Sequence, residues 1–219
     1  MRNIAVEYAR FLLEDLGYWK PSIDARLVLL RKKQGIRWVD VIVDIDEGPQ
    51  YHLSSIEWTG MHVFTEAELQ AVMPIHQGEV ANRGRIADGL EAVRKLYGNR
   101  GYINFTCVPQ TEFNGAAHTL GLRIDVDEGG QFHFGELRLP GLDDVNKERL
   151  LRQWDSIKGT TYSWEKQDAF FESAMRPAGL RPRNRFHYLQ YVSLHMEEAE
   201  RTVNFSISFL PLPDRRPVQ

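Results

Sequence analysis

The 219-residue chain has one cysteine, Cys107. A lone thiol excludes an internal disulfide and any metal site built on several cysteines. It leaves the compartment open, because a domain with a full-sized core needs no disulfide in an oxidising space. Charge of one sign is also scarce: 27 Lys and Arg stand against 30 Asp and Glu, a formal net charge of −3. The broad basic field of a nucleic-acid binder is therefore missing, and nucleic acid is not expected as a partner. No run approaches the ~18 consecutive apolar residues of a membrane-spanning helix. The opening stretch is broken by Glu7, Arg10, Glu14 and Asp15 and has no apolar export-signal core. The 7 histidines fall in no zinc-ligand spacing, no serine sits in a Gly-x-Ser-x-Gly turn, and no phosphate-cradling glycine loop is present. These absences predict no catalytic residue, no metal, no cofactor and no enzyme.

What the sequence does contain is repetition. Ile45-Asp46-Glu47-Gly48-Pro49-Gln50-Tyr51-His52-Leu53 recurs as Val126-Asp127-Glu128-Gly129-Gly130-Gln131-Phe132-His133-Phe134, 81 residues later from Asp46 to Asp127. The same offset carries Ile56 to Leu137, Trp58 to Leu139 and Gly60 to Gly141. Within each copy the apolar alternation slips by one residue, between Leu53 and Ile56 and between Phe134 and Leu137. Strand side chains alternate with period two, so a one-residue slip predicts a bulge or bend at the same place in both copies.

Upstream of each Asp-Glu-Gly, Val39, Val41, Val43, Ile45 and Leu120, Leu122, Ile124, Val126 alternate as strands with one buried face. Each pairs with a preceding segment, Ala25–Leu29 or Tyr102–Val108, across a turn-rich stretch, which predicts two hairpins. A helix of i, i+4, i+7 spacing precedes each hairpin: Ile4, Tyr8, Phe11, Leu12 run into Gly17-Tyr18, and Ile86, Leu90, Val93, Leu96, Tyr97 run into Gly101-Tyr102. Thr65 with Glu68 three residues on predicts a capping box opening a short helix to about Met73. The unit is thus β-α-α-β-β. One whole copy spans 51–130 and a second spans 131–213, with helices over Asp143–Trp154 and Trp164–Met175 and strands over Val192–Met196 and Val203–Phe209. Residues 1–50 supply only a second helix and a hairpin, and 214–219 form a tail.

Such a unit resembles the POTRA (polypeptide-transport-associated) domain, on Gly17-Tyr18, Asp46-Glu47-Gly48-Pro49, Ile56, Gly60, Gly101-Tyr102, Pro109, Asp127-Glu128-Gly129 and Gly141. The resemblance implies an α+β fold of tandem small modules, each a three-stranded mixed sheet with its last strand in the middle and two helices on one face. It departs in the last copy, where Ala178-Gly179-Leu180 replaces Gly-Tyr and Leu210-Pro211-Leu212-Pro213 replaces the acidic-glycine turn. The implied role is a periplasmic, chaperone-like polypeptide-binding array of an outer-membrane assembly or translocation factor. Its partners would be unfolded outer-membrane or secreted polypeptides, accessory assembly proteins and a C-terminal membrane barrel outside this chain. A scaffold or division-type module recognising one folded partner is the alternative.

An open sheet edge offers unpaired N–H and C=O groups to an extended peptide, so affinity by β-augmentation tolerates many sequences. The expected peptide-binding edges are Tyr102, Ile103, Asn104, Phe105, Thr106, Cys107 and Val108 in one module, and His187, Tyr191, Val192 and Leu194 in the next. Glu47, Gly48, Pro49, Glu128, Gly129 and Gly130 are expected to be inter-module turns, because glycine permits a sharp link and acids there are commonly solvated. The run Arg181, Arg183, Arg185 reads as a solvated basic loop.

Overall fold

The computed structural model describes residues 2–34, 36–175 and 188–211. In chain order the elements are α1 (Arg2–Asp15), β1 (Ser22–Lys33), β2 (Ile36–Asp46), β3 (His52–Thr59), α2 (Glu66–Ala71), α3 (Arg83–Gly98), β4 (Thr106–Asn114), β5 (Thr119–Asp127), β6 (His133–Arg138), α4 (Asp144–Trp154), α5 (Trp164–Met175), β7 (Tyr188–Glu197) and β8 (Thr202–Pro211). They fold as two compact units, residues 1–94 with 106–127 and residues 95–105 with 128–219.

In the first unit, β3 lies parallel to β5 and β4 antiparallel to it, giving the strand order β3-β5-β4 with the last strand central. The expected bulge is present: the β3–β5 register shifts between Leu53 and Ser55. It lets Leu53 and Trp58 point to the same buried side although they are an odd number of residues apart. The capping box opens α2, with the Glu68 amide donating to Thr65 Oγ1 at 3.3 Å and the Thr65 amide donating to Glu68 Oε2 at 2.8 Å. Leu53, Leu69, Ile75, Val93, Leu120 and Ile124 are buried in this unit.

The other sheet of this unit, as far as the described residues go, is the pair β1 and β2. Its central row repeats that of β5, yet Val41 is 38% exposed where the corresponding Leu122 is 2% exposed. Among the described residues no third strand pairs with β2, and helix α1 accompanies the hairpin, so its apolar row has less cover. Amide protection in β2 is expected to fall well below that in β5, because two-stranded sheets are marginal in water. Hydrogen exchange followed residue by residue checks this, and equal protection would contradict it.

In the second unit β6 lies parallel to β8 and β7 antiparallel, again with the last strand in the middle. The β6–β8 register shifts between Phe134 and Leu137, the second expected bulge. Side chains take up two of its backbone groups. The Glu136 amide donates to Asn204 Oδ1 at 2.7 Å, and the buried Trp154 indole donates to the Gly135 carbonyl at 2.9 Å. Trp154 also packs against Phe134, Phe170 and Phe205 with centroids 4.9–5.6 Å apart, making it the centre of an aromatic core.

One expected strand starts later than its sequence suggests. Tyr102, Ile103, Asn104 and Phe105 are not in β4, which begins at Thr106. After α3 the Tyr102 amide returns to the Tyr97 carbonyl at 3.0 Å with Gly101 at φ +86, a left-handed helix ending. The Phe105 amide then donates to the Tyr102 carbonyl at 3.2 Å, and the Phe105 ring stacks on Tyr97 at 4.2 Å. Closing that turn holds the four residues off the sheet.

Candidate functional site

Which backbone groups an edge strand offers to a partner follows from the central strand. A residue's N–H and C=O leave an antiparallel strand on the same side, so a central-strand residue that faces one neighbour cannot bond the other. In the first unit the Val126 carbonyl oxygen faces Gly60 at the end of β3: a Cβ on Gly60 would stand 2.3 Å from it. Val126 is paired with Cys107. Cys107, and with it Pro109, Thr111 and Phe113, therefore turn their backbone groups to the free side of β4. In the second unit the Phe209 amide donates to Pro140, beyond β6, at 2.9 Å, and Phe209 is paired with Gln190. Gln190, Val192, Leu194 and Met196 accordingly turn theirs to the free side of β7.

Of the expected edge residues, Thr106, Cys107 and Val108 lie on β4 and Tyr191, Val192 and Leu194 on β7. Cys107 is half-buried and its burial pushes the thiol up, which disfavours the reactive thiolate. Val108 is exposed on the sheet face opposite Cys107. Tyr102, Ile103, Asn104 and Phe105 precede the strand and offer no ladder. His187, the arginines at 181, 183 and 185, the stretch 178–180 and the tail 214–219 lie outside the described residues.

The expected turn residues divide in two. Gly48 and Gly129 have φ of +68 and +65, as a sharp link requires, and the Gly48 amide closes onto Asp46 Oδ1 at 3.2 Å. Glu47 and Pro49 flank Gly48 in the segment between β2 and β3. Glu128 is not simply solvated: its Oε1 accepts from the Tyr97 hydroxyl at 2.9 Å. Burial of Tyr97, together with that carboxylate, pushes the phenol well above its ordinary value. Gly130 lies against the Arg201 guanidinium, in space that a larger side chain would take.

A junction built twice escaped the sequence reading. In the first unit the Tyr51 amide donates to the Gly17 carbonyl at 2.8 Å and Gln50 Nε2 to the Leu16 carbonyl at 2.8 Å. In the second, the Phe132 amide donates to the Gly101 carbonyl at 2.8 Å and Gln131 Nε2 to the Arg100 carbonyl at 3.0 Å. The residue two before each glycine also caps a later helix. Asp15 Oδ1 accepts from the Gly84 amide at 2.9 Å, and Asn99 Oδ1 accepts from the Glu165 amide at 3.1 Å. Both amides are first-turn donors with no partner inside their own helix. The signal was legible in Gln50 and Gln131 at the repeat offset, but their partners are offset by 84, from Gly17 to Gly101. Asn99→Ala is expected to cost about 1 kcal/mol, the usual loss on removing a cap. Urea denaturation of the variant measures it.

Residues 51–129 match the model of the POTRA family, described as surface antigen variable number repeat. The chain is 27% identical over 144 residues to the outer membrane protein assembly factor BamA of Neisseria meningitidis serogroup B, covering 60% of this chain and 18% of that protein. It is 25% identical over 128 residues to a putative outer membrane protein assembly factor of Treponema pallidum, covering 58% of this chain and 15% of the other. Among solved structures, POTRA3-5 of Haemophilus influenzae BamA superposes with a TM-score of 0.67 at 22% identity, over 95% of this chain and 79% of that one. That likeness establishes the fold. The chain spans less than a fifth of the length of the two curated relatives.

Proposed function

Because the chain carries a POTRA domain over residues 51–129 and is related in sequence to outer membrane protein assembly factors, we propose that it is a non-catalytic polypeptide-binding segment of such a factor, working on the periplasmic side of the outer membrane. Its clients are unfolded outer-membrane or secreted polypeptides, and accessory assembly proteins use the same surfaces. Binding is by β-augmentation: an extended client segment adds a strand to an open sheet edge, through main-chain hydrogen bonds that tolerate many sequences.

The observation that carries this reading is that both three-stranded sheets keep their last strand in the middle, which leaves β4 and β7 each with one edge that no strand among the described residues pairs. Proteins commonly protect such edges, so an open one on a module related to assembly factors favours a strand-adding role. A backbone NMR titration with unfolded outer-membrane-protein peptides tests it. Shifts are expected along Thr106–Val108 or Tyr188–Met196. No shifts at millimolar peptide would sink the reading in favour of recognition of a folded partner.

A further inference from the structure

We propose that β7, rather than β4, is the edge that takes up client strands, and that it selects segments whose apolar residues alternate with polar ones. This rests on the strand-adding reading above and assigns its acceptor and substrate class.

The two edges share a register. Asn114 pairs with Thr119 and Glu197 with Thr202, so Pro109 on β4 and Val192 on β7 occupy the same place in their sheets. Both are on the row that turns its backbone to the free side. Proline has no N–H, so a strand laid on β4 meets a missing donor mid-edge, whereas β7 offers Gln190, Val192, Leu194 and Met196 without interruption. The turn end of β4 is also occupied. Phe113 meets the Tyr51 ring edge-on at 5.3 Å, lies 6.1 Å from Trp19, and has the Lys20 ammonium 4.5 Å from its centroid.

Side chains give β7 its selectivity. Val192, Leu194 and Met196 are 48%, 54% and 47% exposed, and they pair with Ile207, Phe205 and Val203, all buried. The core row of β8 thus continues onto the edge, and among the described residues no further strand pairs beyond it. The alternate residues, Ser193 and His195, are exposed on the other face, with His195 Nε2 3.3 Å from Glu197. A docked strand extends both faces at once, apolar beside Val192, Leu194 and Met196 and polar beside Ser193 and His195. A slip of one residue would put its polar groups in the apolar row, so a period of two is the feature selected. On β4 the equivalent row is Cys107, Pro109, Thr111 and Phe113, which offers no such run of exposed aliphatic side chains.

Two ten-residue peptides of one composition test the proposal, one with valine and threonine alternating and one with the valines in a block, each titrated by backbone NMR. The alternating peptide is expected to shift β7 amides and to bind about tenfold more tightly than the blocked one. Val192→Pro transfers the β4 interruption to β7 and is expected to weaken binding about tenfold, the order of one lost hydrogen bond. Pro109→Val is expected to leave β7 binding unchanged. Should Val192→Pro disrupt the sheet, the double variant Leu194→Thr, Met196→Thr keeps every edge N–H and is expected to lose the preference for alternation. Shifts confined to β4, equal binding of the two peptides, or wild-type affinity in both β7 variants would overturn the assignment while leaving strand addition intact. Binding of neither peptide anywhere would overturn the strand-adding reading with it.

Discussion

Gly60→Ala and Gly141→Ala are each expected to destabilise their sheet by on the order of 3 kcal/mol, read as a fall in the urea midpoint at unchanged slope. Both glycines follow the first strand of a complete repeat and have φ of +81 and +82, where an L side chain costs about 1–2 kcal/mol. The larger part of the effect is contact. A Cβ on Gly60 would stand 2.3 Å from the Val126 carbonyl oxygen, and one on Gly141 2.1 Å from that of Phe209. Those oxygens belong to the central strands, and Phe209 is tied by its amide to Pro140, so neither can give way without breaking the ladder. Gly78→Ala separates the two causes, because Gly78 has φ +88 but nothing within 4 Å of its Cβ position. It should lose only about 1–2 kcal/mol. Equal losses at all three positions would show that the close approach does not matter.

Trp154→Ala is expected to cost about 3–5 kcal/mol, the range for truncating a buried aromatic residue, and with it the ordered β6-β8-β7 sheet. The indole is 1% exposed and touches Phe134, Phe170 and Phe205, which come from a strand, a helix and another strand. It also donates to the Gly135 carbonyl, the group that the β6 bulge takes out of the ladder. Trp154→Phe keeps most of the packing and leaves that carbonyl without its donor, so about 1–3 kcal/mol should be lost. Thermal unfolding of the two variants distinguishes packing from hydrogen bonding. Because β7 is held through β8, peptide binding on β7 should fall with the stability of this sheet.

Much of this architecture was legible because the chain repeats itself. The slip between Leu53 and Ile56 and between Phe134 and Leu137 located both bulges, since a period-two pattern cannot change phase without an extra residue. Thr65 and Glu68 located the start of α2, because capping is local chemistry. The start of β4 was misread. Ile103 and Phe105 alternate as a strand would, but the helix ending at Gly101 and the turn closed by Phe105 carry the Phe105 ring back onto Tyr97 instead. The junction around Gly17 and Gly101 was missed for a related reason. Its donors repeat at 81 residues and its acceptors at 84, because the first hairpin has strands of 12 and 11 residues joined by two, where the next has 9 and 9 joined by four.

By itself the sequence determined the repeat, the order of elements in each unit, the positions of the bulges and glycines, and the absence of catalytic signatures. All of these are set by local periodicity or by a residue's own conformational limits. Only the tertiary structure decided which backbone groups face outward and that Val192 stands where Pro109 stands. Those depend on pairing between segments far apart in the chain, and one residue of register is enough to turn every edge N–H from the partner to the solvent.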